Sequence, residues 1–306
     1  MSLDLSNARL IGIDWGTSSL RAFLIGGNGK VLDHLHTPEG IMQVSENDFE
    51  GVLSRLLSSW TNKNGLPMIA SGMITSRNGW VETPYLSGPT GAAQLADALH
   101  QVPVASGELL YFVTGLTIDH SGAPDVMRGE ETQIAGVVES GLVNGICVMP
   151  GTHSKWVTVR DGRIVNFETF MSGEVFAALR SHTILGKLMT KSTFSEDGFR
   201  EGVAAGLAAG TRLLHSLFHV RTLPLFDKIE ENKVEDYLSG MLIGAEIQGV
   251  LSNGAIDDPI MIIGRDDLAD RYAVALEVSG QQSKRSQENI AALGYFAIAK
   301  AAGLLS

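Results

Sequence analysis

Asp14, Gly16, Thr17, Ser18 and Ser19 fall within six residues of the stretch IGIDWGTSSLRAFLI (11–25), between two apolar runs. A strand that ends on a carboxylate, a glycine and three hydroxyls before a second strand reads as a tight hairpin with polar groups at its tip. Glycine at such a turn lets backbone N–H groups converge on an anion, and the hydroxyls add donors. ICVMPGTHSKWVTV (146–159) has the same build, and Gly151, Thr152, His153 and Ser154 align on Gly16 to Ser19 at a constant offset of 135, which is 151 less 16. Two such tips could clasp a polyphosphate from both sides. They differ where Asp14 corresponds to Met149, so only one carries a carboxylate. Nucleotide phosphates arrive with Mg²⁺, a hard cation that takes one or two carboxylates and keeps several waters. Asp14 is placed to hold it, directly or through a water, and Lys155 is placed to approach a phosphate.

A second cluster lies in VMRGEETQIAG (126–136), where Arg128, Glu130 and Glu131 crowd the start of an expected helix and Gly129 allows close backbone approach. Arg offers a bidentate fork to a carboxylate. An acidic side chain within hydrogen-bond reach could act as base towards a hydroxyl. A plain helix start, where acids favour the dipole, has the same appearance. SGMITSRNGW (71–80) and ETPYL (82–86) put Gly72, Ser76, Trp80 and Tyr85 on a loop after an expected strand, as one wall of a ligand pocket or as loop packing. His215 and His219 are spaced i, i+4 as zinc ligands are, but no third ligand is evident, and His34 and His36 alternate on a strand as surface residues do. Neither a Ser-His-Asp nucleophile motif nor a Walker A loop is present.

These residues need strands and helices to position them. Three antiparallel strands are expected to open the chain, with GGNGK as a hairpin turn. A helix follows in SENDFEGVLSRLLSSW, with Ser45 and Asp48 as a variant capping box. LPMIASGMI reads as a buried strand, TGAAQLADALH as a helix, ELLYFVTGL as a strand, and GEETQIAGVVESG as a helix stopped at Gly141. The pattern then restarts with strands at GICVM, KWVTV and IVNFETF. Helices dominate from Ser172 to about Phe218 and again in VEDYLSGMLIGAEIQGVL. PIMIIG is a late strand ending in Gly264, and QENIAALGYFAIAKAAG closes the chain as a helix. The restart predicts two α/β lobes, each opened by a three-strand antiparallel meander, with a boundary near Leu142.

The 306 residues suffice for two cores, and 44% hydrophobic with 19% charged residues is a globular composition. A net charge of −11 argues against a general nucleic-acid or anionic-membrane surface. MSLDLSNARL carries no secretory signal pattern, and no apolar run approaches the roughly 20 residues that span a bilayer. The single Cys147 allows no internal disulfide and reads as a small buried strand residue, so a reducing, cytoplasmic location is expected. The oligomeric state is not readable.

The two tips and the late Gly-ended strand resemble the phosphate and adenosine motifs of the hexokinase–actin–Hsp70 superfamily. Within it, IDWGTSSLRA, ASGMITSRNGW, VMRGEETQIAG, MPGTHSKWV, SGE (172–174) and LSGMLIGAE (238–246) resemble the 2-dehydro-3-deoxygalactonokinase family over nearly the whole chain. The resemblance implies two ribonuclease H-like lobes of the actin-like ATPase fold with a cleft between them. Residues 1–141 would form one lobe, joined by the helix of 286–306, and residues 142–285 the other. It implies ATP-dependent, Mg²⁺-assisted phosphorylation of the terminal hydroxyl of 2-dehydro-3-deoxy-D-galactonate to its 6-phosphate, in galactonate and galactose catabolism. ATP and the sugar acid would be the partners. By superfamily analogy the base is Glu130, with Asp125 in reserve and Glu131 beside it. Ser76, Gly79, Trp80 and Pro84-Tyr85 fit the family pattern, whereas Thr75 stands where Gly is expected. Arg265 and Asp266 stand after Gly264, where a small hydroxyl residue is expected. A kinase for another sugar or sugar acid, such as the gluconate-derived epimer, and a non-catalytic nucleotide-gated binding protein on the same fold are the rival readings.

Overall fold

The computed structural model describes residues 7–60, 65–105, 107–190, 193–254, 256 and 259–305. The chain divides into two compact units, one of residues 1–144, 158–167 and 287–306, the other of 145–157 and 168–286. The segment 158–167 thus groups with the first unit, unlike the continuous 142–285 lobe expected above.

In the first unit, β1 (Ala8–Trp15), β2 (Leu20–Gly26) and β3 (Val31–Thr37) pair antiparallel in succession. Helix α1 (Phe49–Leu57) leads to β4 (Met68–Ser71), which runs parallel to β1 with Asp14 opposite Ser71. Next come the short β5 (Leu86–Ser87), α2 (Ala92–Asp97), β6 (His100–Pro103) and β7 (Leu109–Phe112). A sheet of order β3-β2-β1-β4-β7-β6 results, with β7 parallel to β4. β8 (Leu116–His120) and β9 (Ala123–Met127) form a hairpin that pairs with β5 in a separate small sheet and delivers the chain to α3 (Glu130–Glu139).

The second unit contains β10 (Gly145–Met149), and β11 (Ser154–Arg160) and β12 (Arg163–Phe170) extend the same sheet. α4 (Ser172–His182), α5 (Glu196–Ala209), α6 (Leu213–Ser216), α7 (His219–Leu225) and α8 (Val234–Leu251) follow. β13 (Ile260–Ile262), α9 (Asp266–Val278) and β14 (Ser283–Arg285) complete the order β12-β11-β10-β13-β14. The chain ends in α10 (Ile290–Ala301), which belongs to the first unit.

β1 and β2 are buried along nearly their whole length, as their unbroken apolar runs require of strands covered on both faces. α8 is buried along most of its length, with apolar residues on every side of its central stretch. α10 packs on α3 through Gly294 and Gly136, where side-chain carbon would collide with the facing backbone. That close approach brings Tyr295 beneath β1 and leaves no room for a Cβ at Gly12.

Three local expectations need correction. Asp48, not Ser45, caps α1: its Oδ1 accepts the Gly51 N–H at 2.9 Å, while Ser45 belongs to a separate 3₁₀ turn. The carboxylate sits directly at the helix start and is the better acceptor for an orphan N–H. The helix expected to reach His100 stops at Asp97, and His100–Pro103 becomes an edge strand, where proline is tolerated. ELLYFVTGL is not one strand: β7 ends at Phe112, and Leu116 starts a strand of the small sheet.

Candidate active site

The first tip follows directly from β1. Gly16 N–H donates to Ser19 O at 2.9 Å and closes the turn. The segment after β3 braces it: Ile41 N–H donates to Gly16 O at 3.0 Å, Met42 N–H to Thr17 O at 3.3 Å, and Trp15 Nε1 to Glu39 O at 3.0 Å. The carbonyls of Gly16, Thr17 and Ser19 are therefore engaged, while Thr17 and Ser18 stay exposed. Asp14, at the end of β1, pairs with Arg21 at 2.5 Å; its side chain is 14% exposed and that of Arg21 is 48%.

Asp14, Gly72 and Gly129 come together in space. Gly72 follows β4 with φ +98°, and a Cβ there would lie 2.7 Å from Trp15 O and 3.5 Å from an Asp14 carboxylate oxygen. Gly129, at φ +104°, would direct a Cβ to 3.1 Å from the Gly72 Cα. Only glycine suits either place, by conformation and by space. The acids after Gly129 fold back on the helix entry. Glu130 Oε2 accepts the Arg128 N–H at 3.0 Å, and Glu131 accepts the Gly129 N–H at 2.7 and 2.9 Å. Glu131 is 1% exposed, and burial, then the neighbouring Glu130, push its carboxyl up to about 8. Asp125 lies within β9, two residues before its end, with Oδ1 accepting the Val126 N–H at 2.8 Å.

Arg128 organises the 75–85 loop. Nη1 donates to Thr75 Oγ1 and to Thr83 Oγ1, both at 2.9 Å, and Nη2 donates to Thr83 O at 2.7 Å. Its guanidinium stacks 4.1 Å over the Tyr85 ring, and Nε is buried without a hydrogen-bond partner. Thr75, where glycine was expected, also donates to Gly72 O at 3.0 Å and so ties Arg128 to the Gly72 turn. Ser76 is buried, with its hydroxyl donating to Met73 O at 2.7 Å. Trp80 packs against Phe49 and Phe112, so its indole serves the core. Tyr85 stays 41% exposed.

The second tip joins β10 to β11 and is braced by the start of α4. Glu174 N–H donates to Thr152 O at 2.9 Å, and His153 Nε2 meets Glu174 Oε2 at 2.5 Å. Ser154, expected as a ligand donor, turns inward: its hydroxyl bonds the Tyr272 hydroxyl at 2.8 Å and is fully buried. Lys155 is 6% exposed, and none of the ion pairs among the described residues includes it. A pocket of about 220 Å³ adjoins this tip, lined among others by Gly151, Ser172, Ser239, Asp267, Arg271 and Tyr272. Gly264 lies next to Pro150, where a Cβ would be 3.5 Å from Pro150 Cδ. Arg265 pairs with Asp267 at 2.9 Å, so the two charges after Gly264 stand at the exposed start of α9.

Among the described residues no group of three or more His, Cys, Asp and Glu side chains could hold a metal ion by itself. His215 and His219 stack edge to face at 5.1 Å, with no third ligand. No helix of the described residues is long and apolar enough to cross a membrane.

Sequence reasoning missed Tyr295, Tyr272, Arg271 and the roles of Ser239 and Glu246. Tyr295 donates to Ile13 O at 2.7 Å and bonds Ser71 Oγ at 2.7 Å, directly below Asp14 and Gly72. Ser239 and Glu246 did leave a signal, as polar residues within the otherwise apolar run 238–247 of α8. The tyrosines left none.

The chain is 35% identical over 276 residues to a Rhizobium meliloti protein, DgoK1, assigned as a 2-dehydro-3-deoxygalactonokinase, covering 88% of this chain and 89% of that one. It is 32% identical over 273 residues to the 2-dehydro-3-deoxygalactonokinase of Escherichia coli K12, covering 89% and 91%. A crystal structure of a Sinorhizobium meliloti protein assigned the same enzyme name superposes with a TM-score of 0.85 at 33% identity, over 96% of this chain and 98% of that one. The family model for 2-keto-3-deoxy-galactonokinase matches residues 14–298, from the Asp14 carboxylate through both tips and into α10, and the chain belongs to that family.

Proposed function

We propose that the protein transfers a phosphoryl group from ATP to the terminal hydroxyl of 2-dehydro-3-deoxy-D-galactonate, giving the 6-phosphate, in galactonate breakdown on an actin-like ATPase fold. The observation that carries this reading is family membership over residues 14–298. Phosphoryl transfer asks a protein mainly for positioning and charge neutralisation. The features of each unit suit that demand.

In the first unit the exposed backbone at Thr17 and Ser18 suits phosphate oxygens, with the Ser19 hydroxyl close by. Mg²⁺ fits Asp14: a largely buried carboxylate whose present partner, Arg21, is about half exposed. A cation held there supplies charge neutralisation on the phosphate oxygens, and a single protein carboxylate is ordinary for Mg²⁺ shared with phosphates. Glu130 is assigned as the base, because it lies at the cradle made by Gly72 and Gly129. Glu131, sealed and proton-holding near neutral pH, braces the helix entry instead. The unpaired Nε of Arg128 is assigned to the C1 carboxylate, and the residues around it must part for the acid to reach it.

In the second unit Gly151 and Thr152, with His153 and Lys155, are assigned to the nucleotide phosphates. The 220 Å³ pocket beside them, with Gly264 near its edge, is assigned to the nucleoside. Lys155, buried without a counter-ion among the described residues, is the strongest pointer in this unit to an anionic ligand.

An ADP-release assay with purified protein tests the proposal. ADP should form with 2-dehydro-3-deoxygalactonate, less with its C4 epimer, and hardly at all without acceptor. ATP binding with no ADP from any sugar acid would leave a nucleotide-gated binding protein as the surviving account.

A further inference from the structure

Glu246 occupies an improbable place for a carboxyl. It lies on α8 within the apolar cluster of Trp156, Ile243, Ile247 and Tyr272, is 3% exposed, and forms no ion pair among the described residues. Burying such a group costs free energy unless hydrogen bonds compensate. Its Oε1 receives two bonds, from Trp156 Nε1 at 2.7 Å and from the Tyr272 hydroxyl at 2.8 Å. The same Tyr272 hydroxyl bonds Ser154 Oγ at 2.8 Å. Oε2 is buried and unpartnered. Burial raises the carboxyl pKa, and the hydroxyls of Ser172, Tyr272 and Ser154 with the Trp156 indole oppose that rise.

Ser154 and Trp156 are i and i+2 on β11 and share one face of the sheet. Both are tied to one oxygen of α8, Trp156 directly and Ser154 through Tyr272. Lys155 between them points to the other face. The strand leaving the second tip is thus pinned at two successive same-face residues, which fixes the register of Gly151 to Lys155. Tyr272 and Gly151 also line the 220 Å³ pocket, so the pin joins the tip to the pocket wall.

We propose that Glu246 and Tyr272 are positioning residues for nucleotide binding: they hold the second tip in its phosphate-accepting shape without touching the phosphate. This rests on the assignment of nucleotide to the second unit. Glu246→Gln keeps an acceptor at the same place, so its KM for ATP should stay within about threefold of wild type. Tyr272→Phe keeps the buried ring but removes the hydroxyl that links Ser154 to Glu246; at about 1 kcal/mol per lost bond, the KM for ATP should rise about fivefold or more. Glu246→Leu should raise it about tenfold or more, since it strands the indole and tyrosine donors. In all three the KM for the sugar acid should stay within about twofold, because the network acts on the second tip and the pocket wall beside it.

The same order should appear in ATP dissociation constants from calorimetry without acceptor. If Glu246→Leu fails to fold, Tyr272→Phe decides. Unchanged ATP affinity in Tyr272→Phe, or equal losses for ATP and sugar acid, overturns the positioning role while leaving the kinase reading intact. A wild type that bound ATP without turnover would remove the kinase reading and leave this test standing. A wild type that bound no ATP would overturn both.

Discussion

The tips at Gly16–Ser19 and Gly151–Ser154 are built and braced alike, yet what stands behind them differs. In each, a glycine after the third strand lies so close to the tip backbone that a Cβ would collide: Gly40 on Thr17 and Ser18, Gly173 on Gly151 and Thr152. The offset between these two glycines is 133, from 173 less 40, against 135 for the tips. Behind the first tip, Tyr295 bonds the backbone and Ser71 next to a charged pair, Asp14 and Arg21. Behind the second, Tyr272 bonds Ser154 and a buried carboxyl, with Met149 and Trp156 at the positions of Asp14 and Arg21. One scaffold therefore carries two kinds of loop. The first keeps a charged pair at its mouth and suits chemistry; the second turns Ser154 inward against a buried network and suits holding. Changes in the first unit should act on kcat and on the sugar acid, and changes in the second on ATP.

The largest effect that would sharpen this contrast is at Glu130. Glu130→Gln should lower kcat by roughly 10²–10⁴ with little change in the KM for ATP, as for loss of a general base. A kcat within a few-fold of wild type in steady-state assays would move the base elsewhere, with Asp125 next to be tried.

Arg128→Ala should lower kcat/KM for the acid by about 30-fold or more, the cost of removing a charge-assisted contact in a partly desolvated site. Activity on a neutral sugar of equal length should barely change. Equal losses on both would mean that Arg128 works only as the clamp between Thr75 and Thr83.

Matched glycine changes probe the shared bracing. Gly173→Ala should raise the KM for ATP about tenfold or less, with kcat nearly unaffected, because the added carbon pushes the second tip aside. Gly40→Ala should instead lower kcat by a similar factor. Identical kinetic signatures from the two would break the division of labour proposed for the tips.

The smallest effect concerns stability. Folding raises the Glu131 carboxyl from 4.5 to about 8, so the folded state binds its proton more tightly than the unfolded chain does. The associated stability is full below about pH 4.5 and is lost as pH climbs through about 8. Melting temperatures of the wild type should fall more steeply than those of Glu131→Gln between about pH 5 and 9. Parallel curves would mean that Glu131 does not hold its proton in the folded protein.

The sequence made visible what is local and repeated. Buried strands announced themselves as apolar runs, and the tips showed through glycine and hydroxyls at a fixed offset. Contacts far apart along the chain stayed hidden: Tyr295 reaches Ile13 and Ser71 across 282 and 224 residues, and no periodicity encodes that. Trp80 looked like a pocket wall because an aromatic on a loop gives no hint that Phe49 and Phe112 will enclose it. Ser154 looked like a ligand donor because a hydroxyl at a tip does not reveal which face of the strand it will occupy. The β8–β9 hairpin has a turn signal in Ser121 and Gly122, which both adopt positive φ, but its strands are only five residues each and too short for a clear pattern.

If the first tip is the catalytic one because it alone carries a carboxylate, Asp14→Asn should abolish most turnover. Turnover of the variant should be measured across a Mg²⁺ titration with saturating ATP and sugar acid, alongside its melting temperature. The predicted result is a kcat lower by roughly 10²–10³ that excess Mg²⁺ does not restore, in a protein that melts normally and still binds ATP. Near-normal kcat at saturating Mg²⁺ would contradict the claim and reduce Asp14 to the partner of Arg21 in a turn.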